Sequence, residues 1–152
     1  MTQDHNIFKN RHQQFVKTIC ETQAIYALKN EEGYATSFSN ELVDENEEPV
    51  EVFCFWSEKK YAEALINDEW KSFEVETISL IDFLEKWCVG MSNEGLLIGT
   101  NFDESLNGFE MDPLELILEV TQALKVADIS VTFTKFKDIH DLETQVKDVL
   151  EN

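Results

Sequence analysis

Apolar residues along this chain recur at two spacings, and the alternation between them outlines the elements. Phe8, Phe15, Ile19 and Tyr26 fall seven, four and seven apart, with Val16, Cys20 and Ala27 beside them, which predicts one long amphipathic helix over residues 7–29 ending before Gly33. Residues 34–39 (YATSFS) read as a short strand, and 50–56 (VEVFCFW), rich in aromatic and β-branched residues, as a stronger one. Between them Glu41, Asp44, Glu45, Glu47, Glu48 and Glu51 repel one another, so an exposed loop joining two strands of a hairpin is expected. Ser57 is placed to cap a helix with Tyr61, Ala62, Leu65 and Ile66 on its inner face and Trp70 beyond its end.

Val75, Thr77 and Ile78 suggest another strand. Ser79 and Asp82 then match a helix-start pattern, and Leu80, Phe83, Leu84 and Trp87 point inward on a helix that stops near Gly90. Residues 95–100 (GLLIGT) and 107–111 (NGFEM) read as strands, the second entered by an Asn-Gly turn. Asp112-Pro113-Leu114-Glu115 combines a capping Asp with Pro at the first helical position, and Leu114, Ile117, Leu118, Thr121 and Leu124 form the inner face that follows. Ile129, Val131 and Phe133 alternate as a last strand, and Ile139, Leu142, Val146, Val149 and Leu150 share one face of a C-terminal helix. The sum is a single α+β domain over residues 1–152, with a mostly antiparallel sheet of about five to six strands packed with amphipathic helices.

Composition sharpens this. Eleven Phe, three Trp and three Tyr are enough to fill one core. No apolar run approaches the roughly 18–20 residues that span a bilayer, and the N-terminus has no secretory apolar stretch, so the expected location is the cytoplasm. Cys20, Cys54 and Cys88 are odd in number, widely spaced and set among apolar residues, as buried reduced thiols are.

The net charge is −19 and unevenly spread. Residues 1–30 are net positive (Lys9, Arg11, Lys17 and Lys29 against Asp4 and Glu21), whereas residues 31–51 and 87–124 contain no Lys or Arg. Such a field disfavours nucleic acid and anionic membrane as partners and favours encounter with a basic protein.

From VFCFWSEKKYA through IDFLEKW to GLLIGTNFDESLNGFEMDPLELILEV, the chain resembles the bacterial family called domain of unknown function 2750, over roughly residues 7–124. The resemblance implies a compact α+β domain with no assigned reaction, and residues 125–152 would be a C-terminal strand–helix extension.

Chemistry finds few footholds. Asn101, Asp103, Ser105, Asn107 and Asp112 alternate like a calcium loop, but Leu106 stands where that loop needs Gly and Asp112 where it needs Glu. His5, His12 and Cys20 complete no ligand set, no signature pairs a Cys with His12 or His140, and no phosphate-binding glycine motif is present. Asp82 and Glu110 sit among apolar residues and are the least implausible carboxylates for acid–base work, though capping accounts for Asp82. No catalytic residue, cofactor or metal is therefore assigned, and the reading leans away from an enzyme. The preferred expectation is a protein-binding module for a basic partner, such as a nuclease-like toxin or a nucleic-acid-binding protein; Trp56, Tyr61 and Trp70 are by default core residues, and serve as aromatic anchors beside Glu45, Glu47 and Glu48 if they line an exposed patch. The alternative is a small-molecule-binding domain or minor enzyme with a pocket at the sheet–helix junction. Self-association is a third reading, with the helix over 138–150 docked on its own sheet or on a second copy as a homodimer.

Overall fold

A computed structural model describes residues 2–66, 71–103 and 107–151. The first helix, α1 (Thr2–Thr22), ends seven residues sooner than its periodicity suggests. Gln23 adopts a left-handed φ of 58° and its N–H donates to the Ile19 carbonyl at 2.8 Å, a left-handed C-terminal stop. Tyr26 and Ala27 therefore lie on a strand, β1 (Ala24–Asn30), and their helical spacing is a coincidence that strand pairing overrides.

Strand β1 pairs antiparallel with β2 (Gly33–Tyr34) and with β5 (Glu74–Ser79), giving a sheet of order β2-β1-β5. Between β1 and β2, the Asn30 side-chain carbonyl accepts from the N–H groups of Glu32 and Gly33, and Gly33 takes φ 135°, which a side chain would strain. The second sheet has the order β3-β4-β6-β7, from β3 (Thr36–Val43), β4 (Pro49–Phe55), β6 (Leu97–Thr100) and β7 (Phe109–Met111). The expected hairpin is β3–β4, and the one parallel pairing among the described strands is β4 with β6. A bridge between Tyr26 and Trp56 links the two sheets.

Helix α2 (Lys59–Glu63) starts from Glu58, not from Ser57, whose hydroxyl is engaged by Asn101. After β5, a continuous helical run comprises α3 (Leu80–Asp82), a π-helical stretch Phe83–Cys88, and α4 (Val89–Asn93), so it outlasts Gly90. Ser79 caps it, its Oγ accepting from the Asp82 N–H at 3.2 Å. The i→i+5 register of the π stretch aligns Phe83 with Cys88, and both are buried. Helix α5 (Pro113–Val126) has the anticipated cap, the Asp112 carboxylate accepting from Leu114 N–H at 2.8 Å and Glu115 N–H at 3.3 Å.

Residues 129–133 are not a strand. Their burial does alternate, with Ser130 and Thr132 outward and Phe133 buried, but the segment joins neither sheet and runs along the helices. The carboxylate of Glu85, buried within the π stretch, fastens its end by accepting from Thr134 N–H (2.7 Å), Thr134 Oγ1 (2.6 Å) and Lys135 N–H (2.9 Å). The C-terminal helix α6 (Ile139–Glu151) packs on α5 of its own chain through Leu142 and Val146, while Val149 and Leu150 of its expected inner face are exposed.

One core cluster lies between the helices and the sheets, centred on Phe15, Ile19, Phe55, Phe83, Leu116 and Ile117. A second lies under α2 and gathers Leu28, Val52, Cys54, Trp56, Leu65 and Phe102. All three cysteines are buried free thiols.

Candidate functional site: an acidic edge strand and a buried polar network

The acidic segment is an ordered turn. Asp44 Oδ1 accepts from the N–H groups of Asn46 (2.8 Å) and Glu48 (3.1 Å), the Asp44 N–H donates to the Glu48 carbonyl at 2.8 Å, and Glu47 sits at φ 63°. Glu45, Glu47 and Glu48 are all exposed on it. The turn ends β3, the edge strand of its sheet, and β3 carries a register shift between Phe38 and Val43. Along that edge Phe38, Leu42 and Val43 are 59%, 52% and 61% exposed. Large apolar side chains on a strand edge are unusual without a partner, because a row of backbone groups and an apolar surface together template pairing. Four carboxylates beside them blunt self-pairing by like-charge repulsion.

The three aromatic candidates do not join this surface. Trp56 is 0% exposed and is corrected from an anchor to a core residue. Its indole Nε1–H donates to the Phe102 carbonyl at 3.0 Å, and its backbone exchanges bonds with Tyr26 at 2.8 and 2.9 Å. Its place at a strand end signalled an accessible site, but the end of β4 is covered by β1 and by the segment after β6. Tyr61 is half-exposed on α2, which packs against β1 and β5; its hydroxyl bonds Glu58, and that bond first, then burial, raises its pKa. Trp70 lies outside the described residues.

A second cluster sits where the parallel strands β4 and β6 end side by side. Asn101, at φ 48° and buried, donates its backbone N–H to the Phe55 carbonyl at 2.9 Å. Its side-chain Oδ1 accepts from Ser57 N–H at 2.9 Å, and its Nδ2 donates to Ser57 Oγ at 3.1 Å and to the Arg11 carbonyl at 3.4 Å. One residue earlier, Thr100 Oγ1 lies 2.8 Å from His12 Nδ1, and His12 Nε2 lies 2.6 Å from Glu119 Oε1. A carboxylate only accepts, which assigns a proton to Nε2, and Nδ1 pairs with the Thr100 hydroxyl. The imidazole stacks on Phe109 at 4.3 Å between centroids.

Hydroxyl, imidazole and carboxylate in a chain are the parts of a general-base relay. Here His12 is 3% and Thr100 1% exposed while the Glu119 carboxylate reaches solvent, and the chain of contacts joins α1, β6 and α5. In the sequence His12 offers itself only as a metal ligand or a thiol partner. A signal was available: His12 lies four residues after Phe8 and three before Phe15, on the apolar face of α1, where an imidazole must find buried partners.

The thiols are not activated. Burial, then the nearby Glu21, pushes Cys20 up to about 11; burial, then Glu110, pushes Cys54 up to about 12; and burial, then Asp112, raises Cys88 well above the ordinary thiol value. Among the described residues no group of three or more His, Cys, Asp or Glu is arranged to hold a metal. Of the calcium-loop residues, Ser105 lies outside the description, Asn101 is committed to Ser57, and Asp103 Oδ1 accepts from the Asn107 N–H at 3.0 Å. Asp82 is an exposed first-turn residue, and Glu110 accepts from Ser39 Oγ at 2.5 Å. Among the described residues no helix is long and apolar enough to cross a membrane. Among the described residues an open, mostly apolar groove of about 670 Å³ lies between α1 and α5.

Two sheets stitched by one bridge, helices over their faces, and an acidic edge strand studded with apolar side chains define a small α+β protein. A family model described as protein of unknown function (DUF2750) matches residues 12–120, and the chain belongs to that family. No curated protein and no solved structure matches it. The matched range contains the acidic hairpin and the whole of the Thr100–His12–Glu119 chain, while α6 falls outside it.

Proposed function

We propose that the protein is a non-catalytic binding module whose β3 edge and acidic turn receive a basic, extended segment of a partner protein. The observation that carries this reading is the conjunction on one edge strand of Phe38, Leu42 and Val43, all exposed, with Asp44, Glu45, Glu47 and Glu48. An added strand gains main-chain hydrogen bonds from an open edge, and alternate side chains meet the surface beside it. The apolar residues supply burial and the carboxylates select Lys and Arg and speed encounter. The chain's charge of −19 adds a long-range field of the same sign, which works against nucleic acid and anionic membranes.

The test is affinity capture from a cell extract with three baits: the natural chain, Phe38→Ser with Val43→Ser, and Glu45→Lys with Glu47→Lys and Glu48→Lys. A basic protein held by the natural bait, released as salt rises, and lost from both altered baits supports the proposal. A protein that both altered baits retain equally well would contradict it. The alternative, a small-molecule site, draws on the α1–α5 groove, whose walls are mostly apolar and offer few converging polar groups.

A further inference from the structure

The groove between α1 and α5 lies on a different face and obeys different electrostatics. Val16, Cys20, Leu118 and Ala123 are among its apolar lining, Lys17 and Glu21 stand on its α1 wall, and Val126 at its edge is 77% exposed. Its charge is distinctive. The charged residues of its lining are Lys17, Glu21 and Glu119, a balance of −1 in a chain of −19. A basic partner has no reason to choose this face. A second copy, repelled by the acidic remainder, meets the least repulsion where the lining is this close to neutral.

The α1 wall is also self-complementary. Lys17 and Glu21 are one turn apart in the less favourable order for a pair within a helix. Among the described residues neither forms an ion pair in its own chain. Two α1 helices crossing antiparallel about a twofold axis between these positions bring Lys17 to the partner's Glu21, twice over. We propose that two copies of the chain associate through this groove in that arrangement, burying Val126 of both against the apolar floor.

Analytical ultracentrifugation of the full chain over a concentration series tests this. The expected species has twice the 17.6 kDa chain mass. Its fraction should rise with salt, because screening relieves the repulsion between two acidic bodies more than it weakens two ion pairs. Basic-partner binding at β3 weakens with salt, so the opposite sign separates the two proposals. Lys17→Glu alone and Glu21→Lys alone should each weaken association on the order of tenfold, and the double swap should restore it. Val126→Asp should leave a folded monomer, since that side chain is exposed in the single chain. A monomer at every concentration and salt, a double swap no better than the singles, or an unaffected Val126→Asp would each overturn the proposal. So would a monomer whose native mass spectrum shows an apolar small molecule seated in place of a second chain.

Discussion

Replacing Trp56 with Phe separates a core residue from a surface anchor by a measurable margin. The indole is fully buried and its Nε1–H is a bond partner of the Phe102 carbonyl, itself on a residue only 2% exposed. Phenylalanine removes the donor and leaves that carbonyl in a dry site, which costs about 1–3 kcal/mol. The smaller ring leaves space among Leu28, Val52 and Leu65, adding about 1 kcal/mol. The expected loss is about 2–4 kcal/mol, a large part of the roughly 5–15 kcal/mol that holds a domain of this size. In urea unfolding followed by circular dichroism, this lowers the midpoint by about 1–2 M with an unchanged slope. Tyr61→Ala, on an exposed helix, should cost less than about 1 kcal/mol under the same conditions. A Trp56→Phe midpoint within about 0.3 M of the natural chain would refute the reasoning.

Three further outcomes follow from buried contacts. At Glu85, burial raises the pKa, but hydrogen bonds from Thr134, Lys135 and Phe136 outweigh it and the net shift is downward. A depressed carboxyl contributes stability above its unfolded pKa, near 4.5, and loses it as pH falls through the lower folded value. The stability gap between the natural chain and Glu85→Gln, measured by urea unfolding, should therefore be largest at neutral pH and shrink below about pH 4.5; a gap independent of pH would contradict the assignment. Thr100→Val leaves His12 Nδ1 without its partner and should cost about 1–3 kcal/mol in thermal unfolding, with the far-ultraviolet spectrum retained. Gly99→Ala places a methyl carbon 2.5 Å from the Phe102 ring and 2.9 Å from Val52, and should cost about 1–3 kcal/mol by overpacking.

What the sequence made legible was local. The Asp112-Pro113 start, the Ser79 cap and the β3–β4 hairpin each rest on residues a few positions apart, and each is present. The Ile129–Val131–Phe133 alternation reported correctly which sides face inward, but alternation does not supply a neighbouring strand, and none pairs there. Tyr26 continued a helical spacing by chance, and only Gln23 at positive φ and the six-residue register with β5 decide for a strand. Whether Trp56 packs inward or anchors a partner is not legible locally, because its burial depends on Phe102, 46 positions away, and on the parallel pairing of β4 with β6. The His12 cluster was hidden for the same reason, its partners standing 88 and 107 positions off, although the helical face of His12 was a usable clue. The edge exposure of Phe38, Leu42 and Val43 needed the strand order, which no local pattern records.

The most direct test of the acidic edge as a docking strand is amide hydrogen exchange on the chain alone and bound to a captured basic protein. The account predicts that binding slows exchange at outward-facing amides of β3 and in the Asp44–Glu48 turn. Slowed exchange confined to other elements, with β3 and the turn unchanged, would contradict it.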